Sequence, residues 1–222
     1  VNTMSSQLAL NIRLRDEATF SNFIGSAAAK VQASDQISYL WGPAGSGKSH
    51  LLQAMCHQEN QRNLDSIYLQ CLGRHSPGIL HSLESISLVC LDDIDEVIGN
   101  ESWELELFHL VNSVKDGNTR LIVSASAPSA RLNIQLPDLA TRLRAAVAIE
   151  TVALDDREKL RVLERRAASR GFALNEEVAK FILDRSPRDM HHLVELLGRL
   201  EVETLRQQKK LTIPFVKKTL QL

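Results

Sequence analysis

The sequence predicts an α/β protein: a parallel-sheet base with helices on both faces of the sheet, followed by a small α-helical lid. Three observations support this fold class. Short apolar segments alternate with helical apolar spacing up to about residue 150, as in parallel sheets. A glycine-rich loop separates the first apolar segment from the first helical one. From residue 155 the spacing is almost purely helical, and the charge balance there turns from acidic to basic.

The base is predicted from short apolar segments and from helical segments between them. The longer helical segment is expected to begin with Ser102 as its cap and to stop at Gly117. The predicted strands cover residues 37–41, 66–70, 87–92, 120–125 and 146–150, and the predicted helices of the base cover 49–59 and 102–117.

The lid is predicted from successive helical segments. The first covers 155–171 and opens with acidic residues, the second begins at Asn175 as its cap, and the third follows Pro187. Residues 211–213 are expected to form a short strand, and Pro214 suits the first position of a final helix. The predicted units are a tail at 1–18, the base at 19–150 and the lid at 151–222.

The composition argues against several classes of protein. The 222 residues carry a net charge of −1, which disfavours a protein whose affinity rests on neutralising nucleic-acid phosphates. No window approaches the run of about 18 apolar residues that a membrane span needs, and the first residues lack a signal-peptide pattern, so a cytoplasmic location is expected. Cys56, Cys71 and Cys90 form no C-x-x-C pair, so packed thiols are expected rather than metal ligands or bridges.

Residues 40–50, LWGPAGSGKSH, contain the spacing G-x-x-x-x-G-K-[ST] of a phosphate-binding loop. Glycines let such a loop turn sharply and point several N–H groups at one anion, and the N-terminus of the next helix adds positive partial charge. Lys48 is predicted to reach the β- and γ-phosphates, and Ser49 to hold Mg²⁺. The predicted nucleotide contacts in this stretch are Pro43, Ala44, Gly45, Ser46, Gly47, Lys48, Ser49 and His50.

A second apolar segment, SLVCLDDIDEV, ends in the acidic residues that such a loop requires as its partner. Asp92 is the carboxylate expected on the Mg²⁺ side of the site. Asp93 occupies the place where many hydrolytic proteins of this type position water with a glutamate. Asp95 and Glu96 are interpreted as a solvated acidic turn or a helix cap.

These motifs, followed by RLIVSASAPSARL, LPDLATRLRAAV and SPRDMHHLVELLGRLE, resemble in their order the AAA+ ATPases of the DnaA replication-initiator type. The resemblance extends from about residue 19 to the end. It implies an AAA+ base that binds ADP, or ATP or another nucleotide, together with Mg²⁺. It also implies that TFSNFIG lines the adenine pocket, with Phe23 and Ile24 as contacts.

The same resemblance assigns roles to arginines. Arg142 in LATRL matches the arginine finger that the family presents to the nucleotide of a neighbouring subunit, and Arg144 is its nearest rival. Arg188 in SPRDM matches the lid arginine, called sensor 2, that contacts phosphates in its own chain. Both roles suit a guanidinium, which can bind phosphate through paired hydrogen bonds.

The N-terminal residues imply a further partner. QLALNI is similar to the peptide with which bacterial proteins dock on the DNA polymerase III sliding clamp, although Asn11 replaces the usual proline; a disordered or edge-strand tail is the alternative. A DNA-reading domain like that of DnaA is not expected among these 222 residues. The resemblance thus implies a negative regulator of replication initiation that, with the DNA-loaded clamp, stimulates hydrolysis of DnaA-bound ATP, and that can self-associate. The predicted clamp contacts are Gln7, Leu8, Leu10 and Ile12.

Some features depart from the family pattern and leave alternatives open. Ser126 stands where relatives often carry a sensor aspartate, the interval 25–37 is short for the family, and His191 and His192 are interpreted as solvated. The leading alternative is an autonomous AAA+ ATPase, such as a helicase loader or remodelling module. A phosphotransferase acting on a nucleotide or small metabolite would need a catalytic acid or base of its own. A DNA-binding regulator is disfavoured by the net negative charge of residues 1–150.

Overall fold

A computed structural model describes residues 14–34, 36–207 and 210–220. The predicted clamp contacts Gln7, Leu8, Leu10 and Ile12 lie outside these residues. The strands are β1 (Ile37–Trp41), β2 (Ser66–Leu69), β3 (Leu88–Leu91), β4 (Arg120–Ala125) and β5 (Val147–Glu150). The helices are α1 (Ala27–Gln32), α2 (Lys48–Gln61), α3 (Glu101–Asp116), α4 (Pro137–Ala145), α5 (Asp156–Ser169), α6 (Glu176–Arg185), α7 (Met190–Gln207) and α8 (Ile213–Leu220).

The strands form one parallel sheet in the order β2-β3-β4-β1-β5. β1 lies inside the sheet, and its Tyr39 is in register with Val123 of β4 and Ala148 of β5. All residues of β3 are buried, as expected for a parallel strand covered on both faces. The edge strand β5 buries only Ile149. This arrangement places the carboxyl ends of β1, β3 and β4 beside one another, where sheets of this type bind ligands.

Successive strand residues pack into different cores, because their side chains point to opposite faces of the sheet. On one face Val89 and Leu121 join the inner sides of α3 and α4. On the other face Cys90 and Ile122 pack beneath α1 and α2. Helices therefore cover both faces, which confirms the predicted fold class.

The four C-terminal helices α5 to α8 share a separate apolar core, which includes Leu163, Leu193 and Val216. Asn175 caps α6, since its side chain accepts a hydrogen bond from the Val178 N–H at 2.9 Å, so this predicted cap is confirmed. The helices thus form a compact lid with its own core, joined to the base after β5.

Two local predictions were wrong. α3 is capped by Asn100 rather than Ser102, since the Asn100 side chain accepts the N–H groups of Ser102 and Trp103 at 3.1 and 3.3 Å. Residues 211–213 form no strand, because Leu211 packs into the lid core and α8 begins at Ile213. Their apolar character reflects helix packing.

Among the described residues, no helix is long and apolar enough to cross a membrane. Cys56 and Cys90 are buried, and their sulfur atoms lie 3.8 and 3.6 Å from the carbonyl oxygens of Ile67 and Leu52. Within the part of the chain that the structure describes, no cluster of three or more His, Cys, Asp or Glu side chains is arranged to hold a metal.

Candidate nucleotide-binding site

The glycine-rich loop joins the end of β1 to the first turn of α2, the strand-loop-helix context that its spacing predicts. Gly45 and Gly47 have φ values of 74° and 92°, a backbone conformation that other residues rarely adopt. A Cβ atom at Gly47 would lie 2.7 Å from Cε2 of Phe23. Gly47 therefore permits both the turn and the close packing of the N-terminal segment against the loop.

Lys48 is almost completely buried beneath the loop. Its Nζ donates hydrogen bonds to the carbonyl oxygens of Gly42 at 3.0 Å and Pro43 at 3.4 Å, and lies 3.8 Å from Oδ1 of Asp93. The ammonium group is thus held at the cavity by loop carbonyls and a carboxylate. A bound phosphate would compete for these donors and offer a stronger charge-assisted hydrogen bond.

Asp92 is buried at the end of β3, and hydroxyl groups from both flanking strands hold its carboxylate. Tyr68 of β2 donates to Oδ2 at 2.6 Å, and Ser124 of β4 donates to Oδ1. Burial, followed by the charge of Asp92, raises the pKa of the Tyr68 hydroxyl. Tyr68 therefore remains a neutral donor, and the two bonds fix the orientation of Asp92.

Asp93 has φ 50° and ψ 58°, a left-handed conformation unusual for a residue other than glycine. Its backbone N–H donates to Ser124 Oγ at 2.8 Å, which helps to hold this conformation. Burial and the neighbouring Asp92 charge raise the pKa of the half-exposed Asp93 carboxyl, while Lys48 lowers it. The backbone therefore turns at Asp93 so that its side chain faces the cavity whereas Asp92 stays behind it.

Asp95 is more than the solvated acidic turn that the sequence suggests. It lines the cavity, and its Oδ2 accepts hydrogen bonds from the N–H and the hydroxyl of Ser126. Its buried Oδ1 has no partner among the described residues. Asp95 thus supplies a carboxylate to the cavity wall beside Ser126. Glu96 is exposed, as expected.

A cavity of about 480 Å³ lies between the base and the lid. Most of the residues predicted to contact the nucleotide line this cavity. Pro43, Asp92 and Arg188 are not part of its wall. The predicted residues that do line it are Phe23, Ile24, Ala44, Gly45, Ser46, Gly47, Lys48, Ser49, His50 and Asp93.

His50 fixes the N-terminal segment against the loop. Its Nε2 lies 2.7 Å from the carbonyl oxygen of Thr19, so Nε2 carries the proton and donates. Its ring packs against Phe23 with the centroids 5.7 Å apart. Burial lowers the pKa of His50. The neutral ring therefore holds Phe23 at the cavity wall.

The lid contributes residues from α5 and α7, including Val162, Arg166 and Met190. Arg166 was not found from the sequence, because it lies in an arginine-rich helix with no motif. Arg188 instead pairs its Nη1 with Oδ2 of Asp156 at 2.8 Å, and its side chain is 60% exposed. Its assignment as the lid sensor remains a prediction. His191, interpreted as solvated, is exposed and lies at the cavity wall.

Arg142 lies in the last turn of α4, away from the cavity wall of its own chain. Within residues 14–34, 36–207 and 210–220 its guanidinium has no hydrogen-bonding or ion-pair partner, and the same holds for the more exposed Arg144. α4 itself is firmly anchored. The buried Glu104 accepts the backbone N–H groups of Gln135 and Leu136 at 2.9 and 2.7 Å, just before the helix begins.

Comparisons with known proteins agree with this geometry. The family model described as the Hda lid domain matches residues 156–220, which comprise α5 to α8. An uncharacterized protein of Haemophilus influenzae (strain Rd) is 41% identical over 231 residues, covering 99% of this chain and 100% of that protein. The lid of this chain, residues 156–220, is thus an Hda lid domain.

Solved structures show which fold the chain shares. Domain III of the Thermotoga maritima replication initiation protein DnaA matches with a TM-score of 0.78 at 19% identity, over 94% of this chain and 98% of that one. AMPPCP-bound DnaA from Aquifex aeolicus matches with a TM-score of 0.65 at 21% identity, over 88% and 69%. The DnaA-type AAA+ fold, predicted from the order of the motifs, is confirmed.

Proposed function

We propose that this protein, which carries an Hda lid domain, binds ADP and stimulates hydrolysis of the ATP held by the DnaA initiator, with the DNA-loaded sliding clamp as its second partner. Such an activity would convert DnaA to its ADP form and restrain replication initiation in the cytoplasm. The observation that carries the proposal is Arg142, an arginine on an anchored helix that is unpaired among the described residues and lies away from the cavity of its own chain.

The nucleotide-binding part of the proposal rests on the shape and lining of the cavity. The positive-φ glycines of the loop and the N-terminus of α2 suit an anion, and the volume of about 480 Å³ lies in the range of nucleotide sites. Phe23 and Ile24 would contact the nucleobase of the bound nucleotide. The Ser49 hydroxyl lines the cavity and would hold Mg²⁺, which neutralises phosphate charge when bound. The Asp92 carboxylate lies behind the cavity wall and would contribute its negative charge to that Mg²⁺ site.

The second part of the proposal is that Arg142 acts on the nucleotide of a neighbouring protein. A guanidinium that enters a neighbour's site can stabilise the charge that develops on the γ-phosphate, and such arginine fingers raise hydrolysis rates by about 10³–10⁵. An arginine with this role should be free of partners within its own chain and should project from a rigid element. Arg142 meets both conditions in the described residues, because Glu104 anchors the start of α4.

Single-turnover hydrolysis of ATP–DnaA with loaded clamp tests the finger. We expect Arg142→Ala to remove the stimulation, on the order of 10³-fold or more, while binding of ADP to the variant itself is unchanged. Arg144→Ala, two residues along the same helix, is the matched control and should retain stimulation. A loss with Arg144→Ala alone would assign the finger to Arg144, and full stimulation by both variants would contradict the mechanism.

The clamp-binding part of the proposal rests on Gln7, Leu8, Leu10 and Ile12, which would bind the clamp as a short peptide. Replacing Gln7 and Leu8 by Ala should abolish co-elution with the clamp in gel filtration, whereas replacing the neighbouring Ser5 and Ser6 should not. Co-elution that survives the Gln7 and Leu8 changes would disprove the peptide assignment.

A second function, autonomous ATP hydrolysis, is favoured by one specific observation. Asp93 faces the same cavity as Lys48 and Ser49, at the position from which a carboxylate could position water. Steady turnover by the protein alone that is lost in Asp93→Asn would support this alternative. Turnover that appears only with DnaA and loaded clamp would favour the regulator.

A further inference from the structure

Glu17 links the base to the lid through two arginines. Its carboxylate accepts a hydrogen bond from Arg166 Nη1 at 2.6 Å and another from Arg170, and Arg170 also donates to Glu201 at 2.8 Å. Arg166 and Arg170 belong to α5, whereas Glu201 belongs to α7. The Glu17 carboxylate of the N-terminal segment therefore holds α5, and Arg170 connects α5 to α7.

The segment that carries Glu17 is itself fixed to the base. The Arg15 N–H donates to the Gln53 side chain of α2 at 2.8 Å. The Asn22 side chain donates to the Glu17 carbonyl oxygen at 3.0 Å, and His50 holds Thr19. Glu17 thus acts as a fixed point of the base against which the lid arginines are positioned.

Arg166 is the arginine of the lid that reaches the cavity wall in the described structure, one turn after Val162. It is only 8% exposed, and among the described residues its side chain has Glu17 as its hydrogen-bonding partner. A guanidinium has more N–H donors than this one bond uses. A buried cation with unused donors at a cavity wall is well placed to bind a polar, anionic ligand.

Arg188 contrasts with Arg166. Its side chain is 60% exposed and paired with Asp156, and it takes no part in the cavity wall. The two lid arginines thus differ in the property that matters for binding, because only one of them is already at the cavity.

We infer that Arg166 is a further nucleotide-binding residue of this protein, donating from the lid to the bound nucleotide, and that Glu17 is the residue that positions it. This inference rests on the proposed nucleotide binding and adds its lid component. Because Glu17 lies a few residues after the predicted clamp peptide, the contact between Glu17 and Arg166 would couple the N-terminal segment to nucleotide binding.

Calorimetric titration of the full chain with Mg·ADP tests the inference. Arg166→Gln should raise the Kd about 10-fold or more, as expected for losing charge-assisted hydrogen bonds. Arg166→Lys, which keeps the charge and is the variant to use if the glutamine variant does not fold, should raise it by a smaller factor. The matched control Arg161→Gln, at an exposed position of the same helix, should leave the Kd unchanged. Wild-type affinity in both Arg166 variants, or an equal loss in the control, would overturn the inference.

A double-mutant cycle tests the positioning role of Glu17. Glu17→Gln alone should raise the Kd about 3- to 10-fold, because Arg166 loses its orientation. If Glu17 acts through Arg166, the double variant should bind ADP no more weakly than Arg166→Gln alone. Additive losses would show a merely structural effect and overturn the positioning.

Lys48→Ala separates failure of the inference from failure of the proposed function. Loss of binding in Lys48→Ala with full binding in Arg166→Gln would refute only the inference. Absence of ADP binding in the wild-type protein would refute both.

Discussion

The phosphate loop and the lid meet at one cavity, but they are built in different ways. The loop consists of consecutive residues whose turn is set by Gly45 and Gly47 and by the start of α2. The lid reaches the same cavity through Arg166, which depends on packing of α5 and on a carboxylate far away in sequence, Glu17. We therefore expect nucleotide binding by the loop to depend mainly on the loop's own residues. Nucleotide binding by the lid should depend on the contacts between the lid and the base.

The largest expected effect on nucleotide binding comes from removing the ammonium group of Lys48 from the loop. Lys48→Ala should raise the nucleotide Kd on the order of 10- to 100-fold, because the ammonium contributes charge-assisted hydrogen bonds to phosphate. Equilibrium dialysis with labelled ADP measures the effect. Lys30→Ala, an exposed lysine of α1, is the control. Equal affinity of the two variants would refute the loop assignment.

A smaller change tests whether the loop depends on its backbone. Gly47→Ala should destabilise the protein by about 1–2 kcal/mol, because φ is 92° and the new Cβ would lie 2.7 Å from Phe23. Gly73→Ala is the control, since nothing lies within 4 Å of a Cβ there. Thermal unfolding compares the two variants, and a Tm for Gly47→Ala equal to that of Gly73→Ala would contradict the described loop.

The two lid arginines sharpen the comparison further. Arg188→Gln should weaken ADP binding less than Arg166→Gln does, because Arg188 is exposed and already paired with Asp156. We expect a change of at most about 3-fold in Kd. Calorimetry of both variants under one condition decides the order. A larger loss for Arg188→Gln would restore it as the lid sensor in the nucleotide-bound state.

The smallest expected effect concerns Asp93. Its folded-state pKa is raised, so the protonated form is favoured on folding, and the charged form destabilises the protein as the pH rises through that pKa. Asp93→Asn should therefore raise the Tm at neutral pH, on the order of 1–2 °C, and the gain should disappear below the ordinary aspartate pKa.

The pH dependence distinguishes this effect from the backbone preference of asparagine for left-handed conformations, which would contribute equally at every pH. Asp65→Asn, the same change at an exposed site, is the control variant and is measured at the same pH values. A gain in the Asp93 variant that persists unchanged at low pH would contradict the raised pKa.

The difference between loop and lid also explains how far the sequence could predict the structure. β1, the loop and α2 follow from local apolar patterns and glycine spacing, and so does the acidic end of β3. The cap of α3 was misplaced because Ser102 and Asn100 are both good caps, and only the geometry chooses between them.

The parts of the site that the sequence missed all depend on tertiary contacts. Tyr68 and Ser124 become partners of Asp92 only when β2, β3 and β4 are neighbours in the sheet. Glu17 and Arg166 meet only when the lid folds back on the base. No spacing rule connects residues separated so widely along the chain, whereas the sheet and lid bring them together.

The most direct test of the proposed regulator is phosphate release from a fixed amount of ATP–DnaA, measured with and without this protein and with and without clamp loaded on DNA, beside the protein alone. We expect rapid release only when DnaA, this protein and the loaded clamp are all present. Equal release by this protein alone, indifferent to DnaA, would show that the loop at Gly42–Ser49 drives its own cycle and would contradict action on a partner's nucleotide.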